Sequence, residues 1–249
     1  MNVDARDAMV GGLRSELLRY FSGYSMLGVL AFGALVPWFV ANFLGWPDNS
    51  GALSAEYNIQ AFWALATTIA VVSNFAGSYV VSRESYYGTL RRTVVMSGLK
   101  QVVLHKYMAA FIVGLVTFGA GIALWGGTVA FVVSPEVRTE LLSPESWQAL
   151  PGVLLASAVG ALWGCSLGWM IQHYYATTIL TMLIPLAVEL PLLANAPDLG
   201  RWLPSGAFAG IASLPMEGLL DPLPAFLMSL GWLAVAGAGA RWILIRKEF

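Results

Sequence analysis

Charge is what this 249-residue sequence has least of. Only 11% of its residues are Asp, Glu, Lys or Arg, against roughly 25% in soluble domains. Hydrophobic residues make up 58%, and mean hydropathy is +0.71. Such a chain cannot present a mostly polar surface to water, which places it in the membrane class. A net charge of −1 argues against a nucleic-acid partner, because nucleic-acid binders concentrate positive charge. Cysteine occurs once, at Cys165 inside an apolar run, so no intrachain disulfide can form. Neither histidine, His105 or His173, has a His, Cys or acidic partner at metal-ligand spacing. No metal site and no catalytic residue is therefore expected. The sequence also contains no Gly-x-x-x-x-Gly-Lys-Ser/Thr phosphate loop, and its polar stretches are too short for a nucleotide-hydrolysing domain.

What the sequence does have is apolar runs long enough to cross a bilayer, about 20 residues each as helices. Six qualify: 25–44, 59–81, 107–133, 149–171, 176–195 and 223–245. The expected fold class is an all-α membrane protein forming a single transmembrane domain over 1–249. The first run is longer than a signal-peptide core and lacks a small-residue cleavage site, so it reads as a retained span. The third is long enough to tilt or project from the bilayer. Residues 196–222 are rich in Pro and Gly yet still apolar. Phe208, Ile211, Leu214, Leu219 and Leu220 point to short interfacial or re-entrant helices there.

Basic residues set the expected orientation. Eleven of the 13 Lys and Arg residues fall on the side of the N-terminus, leaving Arg138 and Arg201 on the other. Both termini are then cytoplasmic. The outer loops carry acids instead: Asp48, Glu56, Glu136, Glu140, Glu145, Asp198, Glu217 and Asp221. Tyr107, Tyr174, Tyr175, Trp38, Trp46, Trp147 and Trp242 fall near span ends, where aromatic side chains anchor at the interface.

Two segments on the basic side carry more pattern than an anchor needs. In residues 1–22, Met9, Leu13, Leu17 and Tyr20 recur at helical spacing, with Arg14, Glu16 and Arg19 off that stripe. This describes an amphipathic helix lying in the inner interface, although Gly11-Gly12 weakens it. The connection from Ser82 to Lys106 is about 25 residues, whereas loops beyond about 12–15 residues usually have structure or function of their own. Leu90, Val94 and Val95 mix there with Arg91, Arg92 and Lys100, which suits either a short helix docking on a soluble partner or a positive-inside anchor.

Arg83-Glu84, then Gly88-Thr89-Leu90, Ser97-Gly98-Leu99 and Lys106, resemble the pattern of type-2 ABC exporter permeases. The copy here has three residues between Glu84 and Gly88 where the commoner form has two, and Ser97-Gly98 where many relatives place Pro. The resemblance extends to the whole plan of N-terminal amphipathic elbow helix, six transmembrane helices, re-entrant extracellular segment before helix 6 and basic tail. It implies that residues 84–96 form a cytoplasmic coupling helix between helices 2 and 3. Arg83, Glu84, Gly88, Thr89, Leu90 and Arg91 would couple to the ATPase. It further implies two ABC ATPase subunits as separate chains, with ATP and Mg bound there and not on this chain. A second permease copy or paralogue and a bacterial plasma membrane are also implied, with an amphipathic or hydrophobic substrate moved outward.

Within the spans, Gly152, Ala156, Gly160, Gly164 and Gly168 repeat every four residues, a spacing for close helix packing or, failing that, a substrate groove. Glu189 is the only acid well inside a span, between Pro185 and Pro191. An ionisable group at that depth is expensive, so it lines a hydrated pathway or lies nearer the outer surface. Asn74 and Thr67 either line a pathway or bond between helices. Three other classes compete with the permease, one of them a non-transporting assembly or immunity subunit that would bind partners without moving substrate. A secondary transporter coupled through Glu189 would show inverted repeats of broken helices. An intramembrane enzyme would need a nucleophile or metal constellation inside the spans. Neither pattern is evident.

Overall fold

In the computed structural model the chain is helical, with no strand among the described residues, which are 3–22, 24–214 and 218–246, with side chains from Met9 onward. The side chains of Asp4, Arg6 and Asp7, and residues Glu217 and Lys247, lie outside that description. The elements are α1 (Val3–Phe21), α2 (Ser25–Leu44), α3 (Ala55–Tyr86), α4 (Leu90–Ser97), α5 (Leu99–Val132) and α6 (Pro135–Leu141). They continue with α7 (Ser146–Ile171), α8 (Tyr174–Asn195), α9 (Pro197–Gly200), α10 (Pro204–Ile211) and α11 (Pro222–Arg246). Six of these, α2, α3, α5, α7, α8 and α11, are long and apolar enough to cross a membrane. This is the architecture of a multi-pass membrane protein.

Several helices run past the apolar segments that reveal them. Ser54 caps α3 by accepting from the Tyr57 amide at 3.3 Å, so that helix begins four residues before the expected 59 and continues to Tyr86. The third span starts at Leu99, not near 107; its 34 residues measure roughly 50 Å, well beyond a hydrocarbon core of about 30 Å. Lys106 therefore sits two turns inside the helix and not in the connection before it. In α8, residues Ile179–Leu183 and Pro185–Glu189 form wide π-helical turns. Pro185 has no amide hydrogen and its ring crowds the preceding turn, and widening the helix is one way to accommodate it. Within the segment 196–222, the described residues form α9 and α10, with Phe208 and Ile211 buried.

The core is organised around α3. Its most apolar stretch is 94% buried, against 28% for α2 and 22% for both α8 and α11, so the outer helices turn apolar faces outward while α3 is enclosed. Contact between α3 and α7 is made backbone to backbone. A side-chain carbon added at Gly160 would meet the Ala70 carbonyl at 2.9 Å, one at Gly164 would strike the Asn74 carbonyl, and one at Gly168 would meet the Ser78 carbonyl at 2.8 Å. The four-residue steps 160, 164, 168 and 70, 74, 78 run in parallel, so each glycine seats one carbonyl of α3. Gly77 approaches Ala161 in the opposite sense. Missing side chains let the helices close to a distance at which dispersion and Cα–H···O contacts act. Gly152 seats the end of α10 against α7 in the same way.

At the end of the bundle away from α1, Trp125 is fully buried. It meets Trp38 edge-on (5.2 Å between ring centroids) and stacks on Phe62 (5.9 Å). Its Nε1 donates to the Phe62 carbonyl at 3.3 Å. Asn58 beside it donates to the Ser50 carbonyl and to Glu140 (both 3.1 Å) and accepts from Trp46 (3.3 Å). Trp46 is therefore an interior residue and not an interfacial anchor. Tyr107 likewise shares a 2.8 Å hydrogen bond with Ser166 between α5 and α7. Trp125→Ala should cost about 3–5 kcal/mol. Thermal unfolding in detergent checks this, and an unchanged midpoint would mean the aromatic cluster does not hold this end together.

Candidate functional site

Four charged side chains from three helices meet at the end of the bundle that holds α1 and α4. Lys106 of α5 is wholly buried and its Nζ donates to Glu16 at 2.9 Å and to the Val80 carbonyl at 2.9 Å. It also pairs with Glu84 at 3.2 Å. Arg19 reaches the same two acids, Glu84 at 3.0 Å and Glu16 at 3.4 Å, and extends to Thr93 of α4 at 3.4 Å. Arg83 donates to the Arg19 carbonyl at 3.0 Å and stands over the Tyr79 ring. Two carboxylates thus face two cations, a balance that burial demands because an unpaired interior charge is prohibitive. The network bolts α1 to the ends of α3 and α5 and, through Thr93, to α4.

The chain between α3 and α4 is shaped by the same residues. Glu84 and Arg83 lie in the last turn of α3, so residues 84–86 belong to the span, correcting the expected helix of 84–96. Tyr87, Gly88 and Thr89 make the turn. Gly88 takes a positive φ of 68°, a conformation glycine adopts without steric cost. Thr89 closes the turn by donating its amide to the Glu84 carbonyl at 2.9 Å. The helix proper is Leu90–Ser97. Leu90 and Val94 are buried and belong to the same apolar core as Tyr20 and Val102, while Arg91, Arg92, Val95 and Met96 face outward. The helix is therefore seated on one face and open on the other. A cavity of about 560 Å³ opens between α1, α3 and α4, lined by Arg19, Arg83, Glu84, Tyr87, Arg92 and Met96 among others. Tyr20, at its wall, is buried enough that its phenol titrates well above the usual range, so it is neutral there.

Glu16 is the residue that sequence reasoning misplaced. It does not lie on a solvated face: it is 6% exposed and turned toward Lys106. A signal was present, since Glu16 is three residues after Leu13 and four before Tyr20, on the face they share. Gly12 also has a role in this packing, because any side chain there would collide with the His105 ring. Tyr174 is drawn into an aromatic group with Tyr79 and Tyr86 (centroids 6.0 and 5.6 Å). His173 caps the start of α8 by accepting from the Ala176 amide at 3.3 Å.

Asn74, Thr67 and Glu189 are remote from this junction. Thr67 returns its hydroxyl to the Trp63 carbonyl of its own helix at 2.8 Å. Asn74 donates to the Thr181 carbonyl at 3.1 Å, tying α3 to α8. Glu189 accepts from the Ser205 amide at 2.9 Å, which anchors the first turn of α10. Asn74 and Glu189 line one cavity; Thr67 does not. Comparison with known proteins adds no identity to this geometry: no protein-family model matches the chain, and no curated protein matches it either.

Proposed function

We propose that this chain is the permease subunit of an ABC exporter, with α4 as the coupling helix. One observation carries the reading. A short helix, buried on one face and presenting Arg91, Arg92, Val95 and Met96 on the other, is fixed to the spans by a buried charge network. Motion of a soluble partner can do work on spans only through a rigid contact with different affinity in two states. The junction supplies rigidity, because Lys106 and Arg19 hold α1, α3 and α5 as one body. ATP and Mg would be bound by two ATPase subunits docked on α4. A second copy or paralogue would complete the pathway for an amphipathic or hydrophobic substrate. Both termini would be cytoplasmic in a bacterial plasma membrane, since Arg14, Arg19, Arg83, Arg91, Arg92 and Lys100 gather around α1 and α4.

The test is purification from the native membrane in mild detergent, with and without Val95→Asp/Met96→Asp. Both side chains are exposed, so the double variant should fold normally. A stoichiometric ATPase that accompanies the native chain and is lost from the variant is the expected result. A folded native chain that brings no ATPase ends the exporter reading.

A further inference from the structure

A partly open cavity, apart from the charged junction, lies among α3, α7, α8, α10 and α11. It measures about 230 Å³ and its walls include Asn74, Trp163, Glu189, Phe208 and Trp232. Glu189 has no basic partner among the described residues. One of its oxygens accepts from the Ser205 amide at 2.9 Å, and the other accepts no hydrogen bond from any described residue. The first turn of α10 offers at most about half a positive charge, so a carboxylate within a membrane span is left incompletely balanced, a costly arrangement. Asn74, 2% exposed, also keeps a free acceptor. Its Nδ2 is committed to the Thr181 carbonyl at 3.1 Å, which fixes Oδ1 as the unpaired atom.

Aromatic side chains line the same cavity as Asn74 and Glu189. Trp163 and Trp232 meet edge-on, with centroids 5.9 Å apart and planes at 70°, and so form a corner. The Trp232 ring is held in place by its Nε1, which donates to the Trp202 carbonyl at 2.9 Å. Phe208, buried at 5% exposure, adds a third ring. Indole faces attract cations, and aromatic cages with a nearby carboxylate suit ammonium groups that carry apolar substituents. The volume is below the roughly 300–1,000 Å³ of drug-sized sites, so it fits a head group and not a whole large ligand.

We propose that this cavity binds an organic ammonium group, quaternary or tertiary, with Glu189 as counter-ion and Trp163 and Trp232 as its aromatic walls. The site stands on this geometry whether or not an ATPase docks at α4. In an exporter it would receive the head of a cationic amphipath.

Choline, titrated calorimetrically into the purified chain in maltoside micelles, is the probe. Its uncharged isostere, with carbon in place of the ammonium nitrogen, is the control. Saturable choline binding is expected, with the isostere failing to compete. Glu189→Gln keeps an acceptor for the Ser205 amide and so should fold, yet should bind choline about 30-fold more weakly, as expected for loss of the counter-charge in a close ion pair. Trp232→Leu should weaken binding about tenfold and supplies the decision if the first variant does not fold. Absence of saturable binding by the folded native chain, equal binding of the isostere, or full affinity in both variants would each overturn the proposal. Because the readout needs no ATPase, its failure is separate from failure of the coupling reading.

Discussion

Lys106→Met should destabilise the folded chain by about 3–5 kcal/mol, more than any other charge removal in this protein. The methionine fills much of the same space, so packing is nearly kept. What is lost is the cation between Glu16 and Glu84, both of which remain buried. Arg19 alone would face two carboxylates, and Arg19 is half exposed at 49%, so solvent screens part of its attraction. The charge-compensated pair Glu16→Gln/Lys106→Met should recover a large part of the loss, because removing both members of a buried pair avoids an unpaired interior charge. Thermal unfolding of the single and double variants in one detergent decides this. A single variant within 1 kcal/mol of the native chain would show that the network is incidental to the junction.

The second large effect is steric. At Gly164 even a methyl group would overlap the Asn74 carbonyl, and at Gly160 and Gly168 it would press on the Ala70 and Ser78 carbonyls. Backbone atoms in two packed helices cannot swing aside as a side-chain tip can, so α3 and α7 must separate. Overpacking usually costs about 1–3 kcal/mol. Here Gly164→Ala should reach or pass the upper end, and Gly164→Leu should prevent folded protein from accumulating. Gly119→Ala on α5 is the control: nothing lies within 4 Å of the added carbon, so the change should be neutral or slightly stabilising through helix propensity. Yield of monodisperse protein and its unfolding midpoint measure both. Equal tolerance at the two glycines would remove the backbone-contact account of the α3–α7 interface.

Disruption at α3–α7 should also reach the ammonium cavity, because Asn74 and Trp163 belong to its walls. The charged junction is expected to respond less, since Lys106 reaches Glu16, Glu84 and the Val80 carbonyl from α5.

The membrane architecture was legible in the sequence because hydrocarbon enforces it: a segment with few charges and about 20 apolar residues has one stable way to satisfy its backbone, as a helix. The glycine repeat in α7 was legible for a similar reason, since small residues four apart must share a face. Helix ends were not. Glu84 to Tyr86 and Leu99 to Lys106 are too polar to register as span, and they stay helical because Glu16, Arg19 and the Val80 carbonyl answer their charges. For Glu16 the sequence held a signal but not a decision. Its position between Leu13 and Tyr20 allowed either a solvated face or a buried one, and the choice rests on a lysine 90 residues away. The same holds for Glu189, which the sequence placed within an apolar run without fixing its surroundings. Local periodicity assigns a residue to a helix face by itself; what that face meets depends on long-range packing, which here brought two acids to very different partners, buried Glu16 to Lys106 and partly exposed Glu189 to a backbone amide at the edge of a cavity.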